Sequence, residues 1–283
     1  MKELVKRIGI WLGVTVFLTL VAMGIWYLAC DGAQTTASLK WLQFLQTVGT
    51  FALPPILCAW FWSVDRRPFA WLKMNKGMAW LVALLAVAIM ICAIPGINLL
   101  ADLNGRIQLP KSFDFIEQIL RQQEDAAALL TERFLQADNS FVLLINIGLM
   151  ALLPALAEEL TFRGTLQQIF TVCPHRSTIA IWLAAFIFST IHMQFYGFVP
   201  RMLMGAMFGY VFVWTGSLWV PILMHFTNNA IAVLSYYILN HSVREETWVD
   251  TIGSGNTWWL GVISIAVAVL LLWLLRLVVQ KEK

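Results

Sequence analysis

The sequence predicts an all-α integral membrane protein, a bundle of about eight transmembrane helices with one amphipathic helical connector outside the membrane. Three observations carry that prediction. Of 283 residues, 60% are hydrophobic and 12% charged, and the mean hydropathy is +0.75, far more apolar than a soluble domain of this size. Apolar runs of about 20 residues recur along the chain, the length needed to cross a hydrocarbon core of about 30 Å. Lysine and arginine are distributed unevenly between those runs, as the positive-inside rule requires.

The first run, residues 8–30, follows Lys2, Lys6 and Arg7. It is longer than the roughly 7 to 15 apolar residues of a cleaved signal segment, so it reads as an uncleaved first span. Leu28-Ala29-Cys30 is a poor lipoprotein box, because Tyr27 stands where leucine is wanted. Spans at 42–63 and 78–101 complete an N-terminal region, 1–101. Between 102 and 139, Ile116, Ile119, Leu120, Ala127, Leu130 and Phe134 recur at helical spacing among charged residues, with Ser112 placed to cap the start. That pattern predicts an amphipathic helix on the outer membrane face or against the bundle, a packed connector, with admission of substrate as the alternative. Spans at 141–171, 178–195, 198–216 and 218–239 form a core region, 140–240. A loop and a last span, 256–276, occupy 241–283.

With the amino terminus inside, the inner segments hold twelve lysines and arginines, Arg163 among them, and the outer segments seven, including Lys40 and Arg201, which places both termini in the cytoplasm. Trp41, Trp60, Trp62, Trp80, Trp219, Trp258 and Trp259 fall near span ends, as an interfacial aromatic belt does. Cys30, Cys58, Cys92 and Cys173 show no C-x-x-C spacing and read as packing residues, giving neither a disulfide framework nor a zinc knuckle. There is no internal repeat, and no motif for nucleic acid.

The chemistry is concentrated in Pro154-Ala-Leu-Ala-Glu158-Glu159-Leu-Thr-Phe-Arg163-Gly164. It ends a run from Phe141 to Ala157 whose one strongly polar side chain is Asn146. Ionisable groups in such a place are costly in lipid and read as functional. Glu159 and Arg163, four apart, can pair on one helix face. Glu158 projects about 100° away and is left for chemistry. The fifth span ends in Phe188-Ser-Thr-Ile-His192, and the seventh contains His225-Phe-Thr-Asn228-Asn229. His225 and Asn229 share a face, whereas Asn228 points elsewhere.

These groups are what a hydrolase needs. A carboxylate withdrawn from bulk water is suited to general-base work, a histidine beside it can help orient water, and a second histidine with an amide can donate to an oxyanion. Glu158, His192 and His225 are also a combination that catalytic zinc uses, although no H-E-x-x-H spacing is present, and both a metal and a metal-free site stay open. Pro154 predicts a kink or opening one turn before Glu158. Gly205 and Gly209 predict close approach by another helix. One requirement is geometric: with Glu158 toward the inner side and His192 toward the outer side, the long fourth span must slide or tilt to bring them to one depth.

Glu158-Glu159-x-x-x-Arg163, Phe188-x-x-x-His192 and His225-x-x-x-Asn229, in this order on successive helices, resemble the CPBP family, the CAAX-protease and bacteriocin-processing intramembrane proteases also called Abi. The resemblance spans about 143–239 and implies an eight-helix core that hydrolyses a peptide bond within the membrane. In family terms Glu158 and His192 would activate water, His225 and Asn229 would stabilise the oxyanion, and Glu159 and Arg163 would support the site. The family is described both as metalloproteases and as glutamate-dependent enzymes. The preferred reading requires no cofactor; zinc, held by Glu158, His192 and His225, is the alternative. The implied partners are the bilayer and a membrane-associated peptide or protein, in a bacterial inner membrane, where prenylated substrates are not expected. The sequence sets no oligomeric state. Two other readings compete: a non-catalytic immunity or scaffold protein, and a proton-coupled transporter. An intact motif set argues against the first, and polar residues confined to one half of the chain against the second.

Overall fold

Prolines and small residues decide how the apolar runs fold. The computed structural model describes residues 2–171, 177–240 and 248–281. Its longer helices are α1 (Lys2–Cys30), α2 (Thr36–Trp62), α3 (Trp80–Gly105), α4 (Asp114–Leu135), α5 (Ser140–Phe170), α6 (Ser177–Thr190), α7 (Phe198–Thr215), α8 (Trp219–Asn240) and α9 (Trp258–Lys281). No strand occurs among the described residues. Among the described residues seven helices are long and apolar enough to cross a membrane, and α6 is a shorter apolar helix of 14 residues. This is an all-α integral membrane protein, with eight apolar helices at the eight positions the sequence predicts.

The prolines do not break their helices; they widen them. In α2 the residues Thr47–Ala52 form a π turn directly before Leu53-Pro54-Pro55, and in α5 Ile147–Leu152 do the same before Pro154. Pro55 has no N–H for the carbonyl of Phe51 one turn back. That carbonyl accepts instead from the hydroxyl of Thr161 at 2.7 Å, which ties α2 to α5 beside the paired glutamates. Replacing Thr161 with valine should leave the carbonyl unsatisfied and lower stability by about 1 to 3 kcal/mol. Thermal unfolding in detergent checks this, and an unchanged midpoint would mean that the Phe51 carbonyl needs no partner. In α3, Pro95 is followed by a side-chain insertion: Ser264 of α9 accepts from Gly96 N–H at 2.9 Å and donates to the Cys92 carbonyl at 2.5 Å, replacing a bond of the helix ladder.

Small residues bring α7 against its neighbours. A Cβ on Gly205 would lie 3.2 Å from Ala185 and Phe188 of α6, and one on Gly209 would lie 2.8 Å from Ile181. The carbonyls of the same two glycines accept from Arg163 (2.8 Å) and Gln167 (3.1 Å) of α5, so one stripe packs α6 and anchors α5. Asn146, fully buried, accepts from Lys40 Nζ at 2.7 Å and donates to the Leu135 carbonyl at 3.0 Å. Lys40, read from sequence as an outer loop cation, is therefore part of a helix contact. An apolar cavity of about 490 Å³ lies beside this contact, between α2 and α5.

α4 is amphipathic as its spacing predicts. Phe134 is buried, while Phe115, Ile116, Ile119, Leu129 and Leu130 stay exposed, as a membrane-surface helix would leave them. Ser112 does not cap it: Lys111–Phe113 form a 3₁₀ turn, and Phe113 precedes the helix without a side-chain bond. Glu117 holds the entry instead, accepting from Leu109 N–H at 2.8 Å and from Arg121, and the Arg121 guanidinium keeps the Glu117 carboxyl below the usual carboxylate range. Farther along, Arg121 lies 4.4 Å from the Tyr196 ring and Glu124 accepts from Tyr196 N–H at 3.3 Å. The connector is thus seated on the turn that joins α6 to α7.

Cys30, Cys58 and Cys92 are free thiols, and Cys173 lies outside the described residues. The N-terminal run is one helix, α1, fixed to α2 by a Thr19–Thr50 hydroxyl bond of 2.8 Å and by Trp26 Nε1 donating to Ser38.

Candidate active site

Glu158 and Glu159 stand on a short regular stretch of α5, Leu153–Thr161, between two π segments, Ile147–Leu152 and Phe162–Gln167. Such segments are uncommon and collect at functional sites. Their effect here is to change helix phase on both sides of the glutamates. Glu159 is fully buried and Arg163 is 1% exposed. Arg163 Nη1 donates to Glu159 Oε1 at 2.5 Å and Nη2 donates to the Gly205 carbonyl at 2.8 Å. The same Oε1 lies 2.9 Å from His225 Nδ1. One carboxylate oxygen therefore joins α5 to α8 while the arginine joins α5 to α7.

Aromatic rings complete that grip. The Arg163 guanidinium lies 5.0 Å from the Phe188 ring and 5.3 Å from the Phe208 ring. His225 is held by the same pair, at 6.0 Å from Phe188 and 5.5 Å from Phe208. Because the Glu159 carboxylate accepts, Nδ1 of His225 carries the hydrogen. Its Nε2 then faces Glu158, at 3.8 Å from Oε2. The Glu158 carboxylate makes no hydrogen bond among the described residues, and the side chain retains 15% of its exposure.

His192 sits in the turn after α6, where Met193 has a positive φ of 53°. Its Nδ1 is 2.7 Å from the Phe188 carbonyl. A carbonyl can only accept, so Nδ1 carries the hydrogen and Nε2 presents a lone pair. Phe188 is the wall common to both imidazoles, 5.1 Å from His192. The turn that carries His192 begins early along the apolar run predicted at 178–195. Fourteen residues of α6 span only about 21 Å, less than the hydrocarbon core, so the chain turns and releases His192 before a full crossing.

Asn229 is half-buried one turn after His225, and its Oδ1 accepts from Asn228 Nδ2 at 3.2 Å. Asn228, set aside in the sequence on helical geometry, thus engages the carbonyl end of the Asn229 amide. Sequence reasoning also missed Arg201. Counted there as an outer loop cation, it lies in the first turn of α7 and donates from Nη2 to Gln194 Oε1 at 2.7 Å. The signal was present: a charged residue inside an apolar run at 198–216 carries the same implication as Glu158.

For zinc, the donors would have to converge. Among the described residues no group of three or more His, Cys, Asp or Glu side chains is placed to hold a metal ion. His225 Nδ1 is engaged by Glu159 and His192 Nδ1 by the Phe188 carbonyl, which leaves Nε2 of each imidazole as the atom open to a ligand.

Comparison with known proteins finds similarity in the part of the chain that holds these residues. Residues 140–231 match the family model described as Type II CAAX prenyl endopeptidase Rce1-like. The match covers about a third of the chain and contains Glu158, Glu159, Arg163, His192, His225 and Asn229. An uncharacterized protein YpbD from Bacillus subtilis (strain 168) is 32% identical over 90 residues, 30% of this chain and 43% of that protein. The chain therefore spans less than half the length of the curated relative it matches. No solved structure matches. Every motif residue lies inside the matched span, and residues 140–231 are in this respect similar to the Rce1-like CAAX endopeptidases.

Proposed function

We propose that this protein is an intramembrane endopeptidase that hydrolyses a peptide bond of a membrane-associated peptide or protein with a glutamate-activated water. The observation that carries this reading is the unequal pair of carboxylates. Glu159 is consumed by Arg163 and His225, whereas Glu158 is left without a hydrogen bond and faces the imidazole that Glu159 orients.

In this mechanism water donates one hydrogen to Glu158 and another to the Nε2 lone pair of His192. Glu158 takes the proton as the oxygen attacks the carbonyl carbon, and the carbonyl becomes an oxyanion. Asn229 supplies an N–H, since Asn228 occupies its carbonyl end. His225 supplies Nε2–H; with Nδ1–H already given to Glu159, this requires the imidazolium form. Glu158 then returns its proton to the leaving amine, so the carboxylate is regenerated and peptide plus water become acid plus amine. Each oxyanion donor should matter by about a hundredfold to a thousandfold in kcat, which His225→Ala and Asn229→Ala test separately.

We place the protein in a bacterial cytoplasmic membrane with both termini inside. Lys40, Arg163 and Arg201 belong to helix contacts, and setting them aside leaves eleven inner against five outer cations, a sharper bias than the sequence count. The substrate is a peptide or membrane protein without a prenyl group, and the reaction runs without metal. Stoichiometric zinc in purified active protein, lost with activity on chelation and restored on readdition, would overturn the metal-free mechanism. The test of the activity is a proteomic comparison of membranes expressing wild type or Glu158→Gln. New peptide termini confined to wild type establish a protease and its substrate class. No difference, with both proteins folded and equally abundant, would move the assignment to a non-catalytic immunity or scaffold partner.

A further inference from the structure

Arg201 is a cation in the wrong place for a structural ion pair. Its Nη1 is buried with no hydrogen-bond partner, and Nη2 holds only the neutral amide oxygen of Gln194. Neither Glu124 nor Glu158 comes within 4.0 Å of it. The fork is nevertheless fitted into position. A Cβ on Gly197 would lie 2.9 Å from Nη2, so glycine there admits the guanidinium, and Gln194 is two residues from His192 on the same turn.

A planar guanidinium with one free nitrogen and one held by a displaceable amide suits one ligand above others, a carboxylate bound through two parallel N–H···O bonds. We infer that Arg201 is a subsite for a carboxylate of the peptide substrate, exchanging Gln194 for that group and fixing where the scissile bond falls between Glu158 and His192. This rests on the endopeptidase reading and names a substrate class for it. The carboxylate has two sources, a free C-terminus close to the cleaved bond or an acidic side chain, and the chemistry at Arg201 is the same for both.

The test separates binding from cleavage. Full-length protein in lipid nanodiscs is titrated with N-acetyl-Leu-Leu-Phe carrying a free carboxylate, with its C-terminal amide, and with the amide of N-acetyl-Leu-Glu-Phe. Wild type should bind one or both carboxylate ligands about tenfold to hundredfold tighter than the uncharged amide. A preference for the first alone identifies a C-terminal carboxylate, and a preference for the third alone an acidic side chain. Arg201→Gln should bind all three within about twofold, and Arg201→Lys, which keeps the charge but not the fork, should retain part of the preference. Equal binding of all three by wild type overturns the subsite and needs no variant. So does a preference that survives in Arg201→Gln, or a variant that loses turnover equally on acid and amide peptides, which would make Arg201 part of the oxyanion machinery. A carboxylate preference without any Glu158-dependent cleavage would instead sink the endopeptidase reading and leave the subsite standing.

Discussion

Changing Glu158 to glutamine should remove peptide cleavage while leaving the protein folded. A general base contributes about a hundredfold to ten-thousandfold to a rate, and glutamine keeps the size and polarity of the side chain while losing the proton-accepting charge. The structure isolates the effect well. The Glu158 carboxylate makes no hydrogen bond among the described residues, so no network is broken by the change. Withdrawing a carboxylate from water is itself unfavourable and its ion-pair contact with His225 is long, at 3.8 Å, so the variant should be about as stable as wild type. Loss of activity together with unchanged thermal stability is therefore the expected signature. Full activity in Glu158→Gln, measured on a substrate that wild type cuts, would remove Glu158 from the chemistry. A parallel loss of stability would mean that the residue is structural and that its partner has been misidentified.

How much of this could be read in the sequence depends on the range of the interaction. Helix spacing placed Glu159 and Arg163 together because both lie on one element, and residues four apart meet whatever surrounds them. Apolar run length placed the eight helices for the same reason, since the bilayer imposes the length locally. Contacts between elements were not legible. His225 lies 66 positions from Glu159, and only the folded bundle shows that its Nδ1 is taken by that carboxylate. The π segments around the glutamates were invisible to a 3.6-residue period, although Pro154 and Pro54-Pro55 marked where the ladder had to change. Arg201 was lost because a charge near the start of an apolar run was assigned to a loop. The end of α6 was misplaced because apolar composition continued through a turn that ends the helix at Thr190.

Glu159 has two duties, and a pair of substitutions can separate them. It neutralises Arg163 in a place with almost no exposure, and it orients His225 toward Glu158. Breaking a buried ion pair by removing one partner costs about 3 to 5 kcal/mol, because the other charge is left uncompensated. Glu159→Gln and Arg163→Ala should each lose stability on that scale, and the alanine also empties the space between Phe188 and Phe208. Replacing both charges with neutral groups of similar volume, Glu159→Gln with Arg163→Met, should recover most of the loss, since neither charge remains buried alone. Activity should not recover with it. Without the carboxylate at Nδ1 nothing holds the His225 imidazole in register, and a carboxylate in that orienting position is worth at least about a hundredfold in kcat. Thermal unfolding and turnover of the two single variants and the double variant decide the matter. Stability regained without activity assigns both duties to Glu159, whereas recovery of both would leave it only the ion pair, with the placement of His225 resting on the rings of Phe188 and Phe208.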